Sequence, residues 1–161
     1  MAVAYDNIIY NSVMDEIERV LLDVRDEIRA KMASEGVNAS GRTSAGMQVQ
    51  RYESGVRLVL TGEDVAPLAT LEVGRAGGTV PLGFADIIEQ WSRDKGLAFP
   101  TDDDRRSFAN LTAWKIASKG TKRHKSPIDV YSEEVERGLS RIRQNIKVEV
   151  TKYIHNSLIY K

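Results

Sequence analysis

Between Ser12 and Ser34 the apolar residues Val13, Ile17, Val20, Leu21, Val24, Ile28 and Met32 recur at spacings of three and four. That period lines them along one face of a helix. Ser12 is placed to cap its start, with Asp15 and Glu16 in the first turn, and Gly36 supplies a left-handed stop. A second stripe runs through Val135, Leu139, Ile142, Ile146, Val150 and Ile154. It begins near Ser132, where Glu133, Glu134 and Glu136 favour the positive end of a helix. Two long helices are predicted, each with an apolar face that needs a partner.

Between them the period changes. Val37 to Gly46 is small and polar, with Asn38, Ser40, Gly41, Thr43 and Ser44 around Arg42, and reads as a loop. Gly46–Tyr52 and Val56–Thr61 read as the strands of a hairpin joined through Glu53, Ser54 and Gly55. In the first strand Met47, Val49 and Arg51 face away from Gln48 and Gln50. Ala66 to Val73 is apolar enough for burial but is broken by Pro67 and followed by Gly74. Helix and strand both stay open there, with a short helix preferred.

Gly77, Gly78, Pro81 and Gly83 make residues 75–83 a loop, after which Phe84, Ile87, Ile88 and Trp91 mark an amphipathic helix ended by Lys95 and Gly96. Thr101 with Asp102, Asp103 and Asp104 starts a further helix. Phe108, Leu111, Trp114 and Ile116 are its expected apolar surface, Gly120 its end, and a basic loop closed by Pro127 follows. The predicted fold is α+β: long N- and C-terminal helices packed on a small antiparallel sheet, with two shorter helices, in a single domain spanning residues 1–161.

Composition narrows the function classes. Twenty-three basic residues balance twenty-three acidic ones, so no net field draws the chain to nucleic acid or to an anionic membrane. The absence of cysteine removes disulfides, thiolate nucleophiles and the commonest structural zinc sites, and a reducing cytoplasm is the expected folding compartment. Met1 to Tyr10 has no basic n-region, so secretion is not expected. Charges interrupt every helix-length window, so no membrane span is expected either.

Candidate chemistry fails on spacing. Asp102, Asp103 and Asp104 are consecutive, whereas calcium loops need oxygens at alternating positions; helix capping is the preferred reading. His124 and His155 have no His or Cys at metal-ligand spacing, and His124 lies among cations that disfavour its protonation. Gly74, Gly77, Gly78 and Gly83 lack the lysine and the preceding strand of a phosphate cradle, and read as a turn or contact loop. Trp91 and Trp114 fit the apolar faces of their helices, so core packing is preferred to an interface role. No enzyme, metal or cofactor is expected. The run Lys119, Lys122, Arg123, His124 and Lys125 is the one local feature suited to phosphate contact, and it carries the alternative function of a DNA-binding accessory protein.

The ordered set of "SGRTSAGMQVQ" at Ser40 to Gln50, the hairpin, "PLATLEVGRAGGTVP" at Pro67 to Pro81, "GFADIIEQWSRDKGL" at Gly83 to Leu97 and "AWKIASKGTKRHKSPIDVYS" at Ala113 to Ser132 resembles the tail-completion or virion-morphogenesis proteins of tailed bacteriophages. The likeness is to the variant in phages of Bacteroidetes hosts and spans most of the chain. It departs from the commoner pattern at Ser40, where a threonine is usual, and lacks the proline-rich docking segment after the Gly-Gly stretch. The resemblance implies a non-enzymatic neck protein joining the capsid connector to the tail, located in the virion after folding in the host cytoplasm. It implies a homo-oligomeric ring of six or twelve copies that contacts other virion proteins and lets DNA pass. Ser40, Arg42, Thr43, Arg75, Gly77 and Gly78 would then serve inter-subunit loop contacts, and the basic run Lys119 to Lys125 would line the DNA channel.

Overall fold

In the computed structural model of the chain, residues 2–37, 41–61, 74, 76–121 and 131–159 are described, with side chains described only between residues 7 and 158. The fold is α+β and mostly helical: α1 (Ala2–Ser34), α2 (Arg42–Ala45), β1 (Met47–Tyr52), β2 (Gly55–Leu60), α3 (Phe84–Asp94), α4 (Asp102–Lys119) and α5 (Ser132–Ile159). Two compact units divide the chain. The first takes Met1–Lys31, Gly46–Thr61 and Val130–Lys161, and the second takes Met32–Ala45 and Gly62–Asp129.

In the first unit, α1 begins at Ala2, ahead of the Ser12 start expected from capping. No Gly or Pro interrupts residues 2–34, and half-buried Ile9 continues the stripe by one more turn, so nothing stops the helix at Ser12. Ser12 is therefore interior, and its hydroxyl donates to Glu149 at 3.4 Å instead of capping. Val20, Val24 and Ile28 are the buried positions of this face.

β1 and β2 pair antiparallel with Tyr52 opposite Gly55, so the connection is the two residues Glu53 and Ser54, one fewer than expected. Met47 pairs with Leu60, Val49 with Leu58 and Arg51 with Val56, which gathers the expected odd-numbered face of β1 with Val56, Leu58 and Leu60 of β2. That face meets α1: Arg29 donates to the Met47 carbonyl at 2.9 Å, and Arg51 reaches Asp15 at 2.5 Å and Glu18 at 3.3 Å. The Tyr10 hydroxyl donates to the carbonyl of Glu53 in the turn.

α5 runs antiparallel to α1. Lys31 pairs with Glu134 at 3.0 Å, Glu27 with Arg141 at 2.9 Å, and Asn145 donates to Glu16 at 2.5 Å. The two helices approach closely at Gly138, where an added Cβ would lie 2.3 Å from Cγ2 of Val24. This contact rotates the expected stripe. Each helical residue turns the chain by roughly 100°, so facing α1 with Gly138 leaves Leu139 and Ile154 outside, 46% and 52% exposed.

In the second unit, α1 ends as expected: Gly36, at φ 62°, donates to the Ala33 carbonyl, and Val37 to that of Met32. Residues 42–45 form a single helical turn, α2, where a loop was expected; the Ala45 amide and the Ser44 hydroxyl both donate to the Gly41 carbonyl at 2.9 Å and close it. Thr101 caps α4 by accepting from the Asp104 amide at 3.1 Å while its hydroxyl donates to the Asp104 carboxylate at 2.8 Å. The expected element at Ala66 to Val73 lies outside the described residues.

α3 and α4 pack through small side chains, Ser92 on one and Ala109 and Ala113 on the other. Near their connection Arg105 donates to the Ser92 hydroxyl at 3.1 Å and lies 4.9 Å over the Phe99 ring, which in turn tilts against Phe108 at 5.2 Å. The fully buried positions of this narrow seam are all small.

Candidate docking surface

Asp102, Asp103 and Asp104 occupy the first turn of α4 behind the Thr101 cap, where the helix dipole favours negative charge. Among the described residues no group of three or more His, Cys, Asp or Glu side chains is arranged to hold a metal ion. His155 is exposed on α5. Of the basic run, Lys119 is exposed at the end of α4, while Lys122, Arg123, His124 and Lys125 lie outside the described residues. Ser40 and Arg75 also lie outside them, whereas Arg42 and Thr43 open α2. Among the described residues, Gly77 and Gly78 lie beside the end of α4 that carries Lys119.

Gly77 and Gly78 sit against the carboxyl end of α4. The Gly78 amide donates to the Ala117 carbonyl at 2.7 Å, and a Cβ on Gly77 would come within 2.8 Å of the Ser118 carbonyl oxygen. The Gly78 amide thus satisfies a helix-terminal acceptor, while at Gly77 the chain passes too close to α4 for a side chain.

The tryptophans overturn the core expectation. Trp114 is 67% exposed and Trp91 39%, and Leu111, expected on the apolar face of α4, is 68% exposed. The cause is the narrow seam: Ala109 and Ala113 occupy the side of α4 that meets α3, which turns Leu111 and Trp114 outward. Leu82 is completely exposed beside them in the preceding loop. Trp114, Leu82 and Phe84 line an open groove of about 520 Å³ whose other walls are Val80, Pro81, Gly83, Ala85, Ala113 and Ala117. Only apolar side chains line it. Leu82 is absent from the sequence-derived site; the spacing of Ala109 and Ala113 marks the packed face of α4 and assigns Leu111 and Trp114 to the other.

The first unit carries a groove of different character, about 590 Å³, lined by Ile8, Asn11, Ser12, Asp15, Glu16, Arg19 and Glu149. Three carboxylates and one guanidinium line it. Hydrogen bonds from Arg19, at 2.6 and 3.0 Å, hold the Glu16 carboxyl below its ordinary value of 4.5; partial burial opposes them and Asn145 reinforces them. A depressed folded-state value contributes stability that is present above the unfolded value and is lost as pH falls through the folded one. Stability should therefore decline as pH drops below about 4.5, and Glu16→Gln should flatten part of that decline in urea titrations run between pH 6 and pH 3. An unchanged slope would remove Glu16 from the acid response.

No helix among the described residues is long and apolar enough to cross a membrane. These features define an α+β protein with a thin core and an apolar groove open to solvent. No family model, curated protein or solved structure matches the chain.

Proposed function

We propose that the chain is a structural subunit of a tailed-bacteriophage virion, acting at the neck or tail-completion joint by docking onto other protein subunits and carrying out no catalysis. The observation that supports this reading is the outward placement of Leu82, Leu111 and Trp114 at and beside an apolar groove. Contiguous exposed apolar surface on a folded chain marks a contact site, and tryptophan is the residue most enriched among interface anchors. The place in the particle comes from the motif order between Ser40 and Ser132.

Mass analysis of purified virions tests it. The wild-type chain should be a particle component. Trp114→Ala should lower its incorporation at least tenfold while leaving the melting temperature of the isolated chain within about 2 °C, because an exposed side chain contributes little to folding. A chain found only in the lysate, or normal incorporation of the variant, would overturn the reading.

A further inference from the structure

We infer that the open edge of β2 takes an extended segment of a different protein as a third strand, with apolar residues at alternate positions and a carboxylate facing Arg57. This edge belongs to the first unit and uses none of the groove residues around Trp114, so the inference goes beyond the docking role proposed above.

The register decides which backbone groups are free. The Thr61 amide donates to the Gly46 carbonyl at 2.9 Å, which makes Gly46 and Thr61 a hydrogen-bonded pair. Bonded and non-bonded pairs alternate along an antiparallel ladder, so Gln48 with Val59, Gln50 with Arg57 and Tyr52 with Gly55 are the other bonded pairs. Val56, Leu58 and Leu60 therefore turn their amides and carbonyls away from β1. Among the described residues the sheet has two strands, and none of them hydrogen-bonds to these outward groups.

Contacts from α1 fall on the other strand and on the turn. Arg29 donates to the outward carbonyl of Met47, Arg51 reaches Asp15 and Glu18, and the Tyr10 hydroxyl donates to the Glu53 carbonyl. β2 also lacks the devices that block edge pairing: it has no proline, no lysine and no bulge, since its residues pair one to one with those of β1. Its single charge, Arg57, is exposed on the face away from α1, lies 5.1 Å over the Tyr52 ring and is bound to no carboxylate among the described residues.

These features specify the occupant. Free amides and carbonyls at every second residue are matched by an extended backbone and not by a helix. Side chains of the added strand beside Val56, Leu58 and Leu60 fall on the face that meets α1, where those half-buried neighbours favour apolar residues. Those beside Arg57 and Val59 fall on the outer face, where a carboxylate complements the guanidinium. A second copy does not meet this requirement, because neither β1 nor β2 contains an acidic residue.

Amide hydrogen exchange followed by NMR on the full chain tests the inference. The probe is a blocked pentapeptide of alternating valine and glutamate with valine at both ends, and its control carries lysine in place of glutamate. At saturation the glutamate peptide should slow exchange at Val56, Leu58 and Leu60 by about tenfold, and leave Arg57 and Val59, already bonded to β1, unchanged. The lysine peptide should bind about fivefold more weakly, and Arg57→Glu, at an exposed position, should reverse that preference. Amides at Val56, Leu58 and Leu60 that neither peptide protects, or equal binding of the two peptides, would overturn the inference. So would protection of these amides in the chain alone that grows with its concentration, which would place a second copy on the edge. An edge that binds neither peptide in a chain still incorporated into virions would remove this surface and leave the neck role standing.

Discussion

Gly138→Leu should lower the melting temperature by about 6–12 °C, the equivalent of about 3 kcal/mol for a chain of this size. Helix propensity predicts the opposite sign, because leucine in a helix interior is favoured over glycine by roughly 1 kcal/mol. Packing decides. A Cβ at this position would stand 2.3 Å from Cγ2 of Val24, which is 1% exposed. Valine is stiff at χ1 in a helix, so it cannot swing aside, and relief requires the α1 and α5 backbones to separate. The companion variant Gly138→Ala with Val24→Ala should recover most of the loss by emptying the volume that the new methyl needs. Thermal denaturation followed by circular dichroism reads both, and a Gly138→Leu chain that melts at or above wild type would show that α1 and α5 do not meet there.

Glu134→Ala should cost about 2–3 kcal/mol. The Glu134 carboxylate is 4% exposed and accepts from Lys31 at 3.0 and 3.2 Å and from Arg137 at 2.9 Å. Removing it strands a lysine whose side chain is only 22% exposed. The loss stays below the 3–5 kcal/mol typical of a fully buried pair because Glu133, 3.4 Å from the same ammonium, takes over part of the interaction. Replacing both partners with apolar residues, Lys31→Met with Glu134→Leu, should fall much closer to wild type, so the double-mutant cycle is strongly non-additive. Lys152→Ala is the control: its pair with Glu149 has a lysine side chain 63% exposed, and its loss should cost less than about 1 kcal/mol. Urea denaturation of wild type, Lys31→Met, Glu134→Leu and the double variant measures the coupling; additive losses at Lys31 and Glu134 would rule out a shared buried pair.

The sequence alone determined the long helices, the hairpin and the ends of α1 and α4, but not the single turn α2. Periods of three and four between Val13 and Met32 and between Val135 and Ile154, alternation across Met47 to Arg51, the Thr101 cap and the glycine at Gly36 are local signals, because helix geometry, strand pleat and terminal hydrogen bonds are set within a few residues. Where local signals compete, the reading slipped: Ser12 has a capping side chain, but an uninterrupted helix overrode it.

Only the tertiary structure decided which side of each helix faces inward. Gly138 lets α5 approach Val24 so closely that Leu139 and Ile154 turn outward, and the pairing of Ser92 with Ala109 and Ala113 leaves Trp114 and Leu111 on the surface. Hydrophobicity along a chain records that a side chain favours burial; it does not record the distance at which two backbones meet. That distance depends on small residues far apart in sequence, and it determined which large residues remained on the surface.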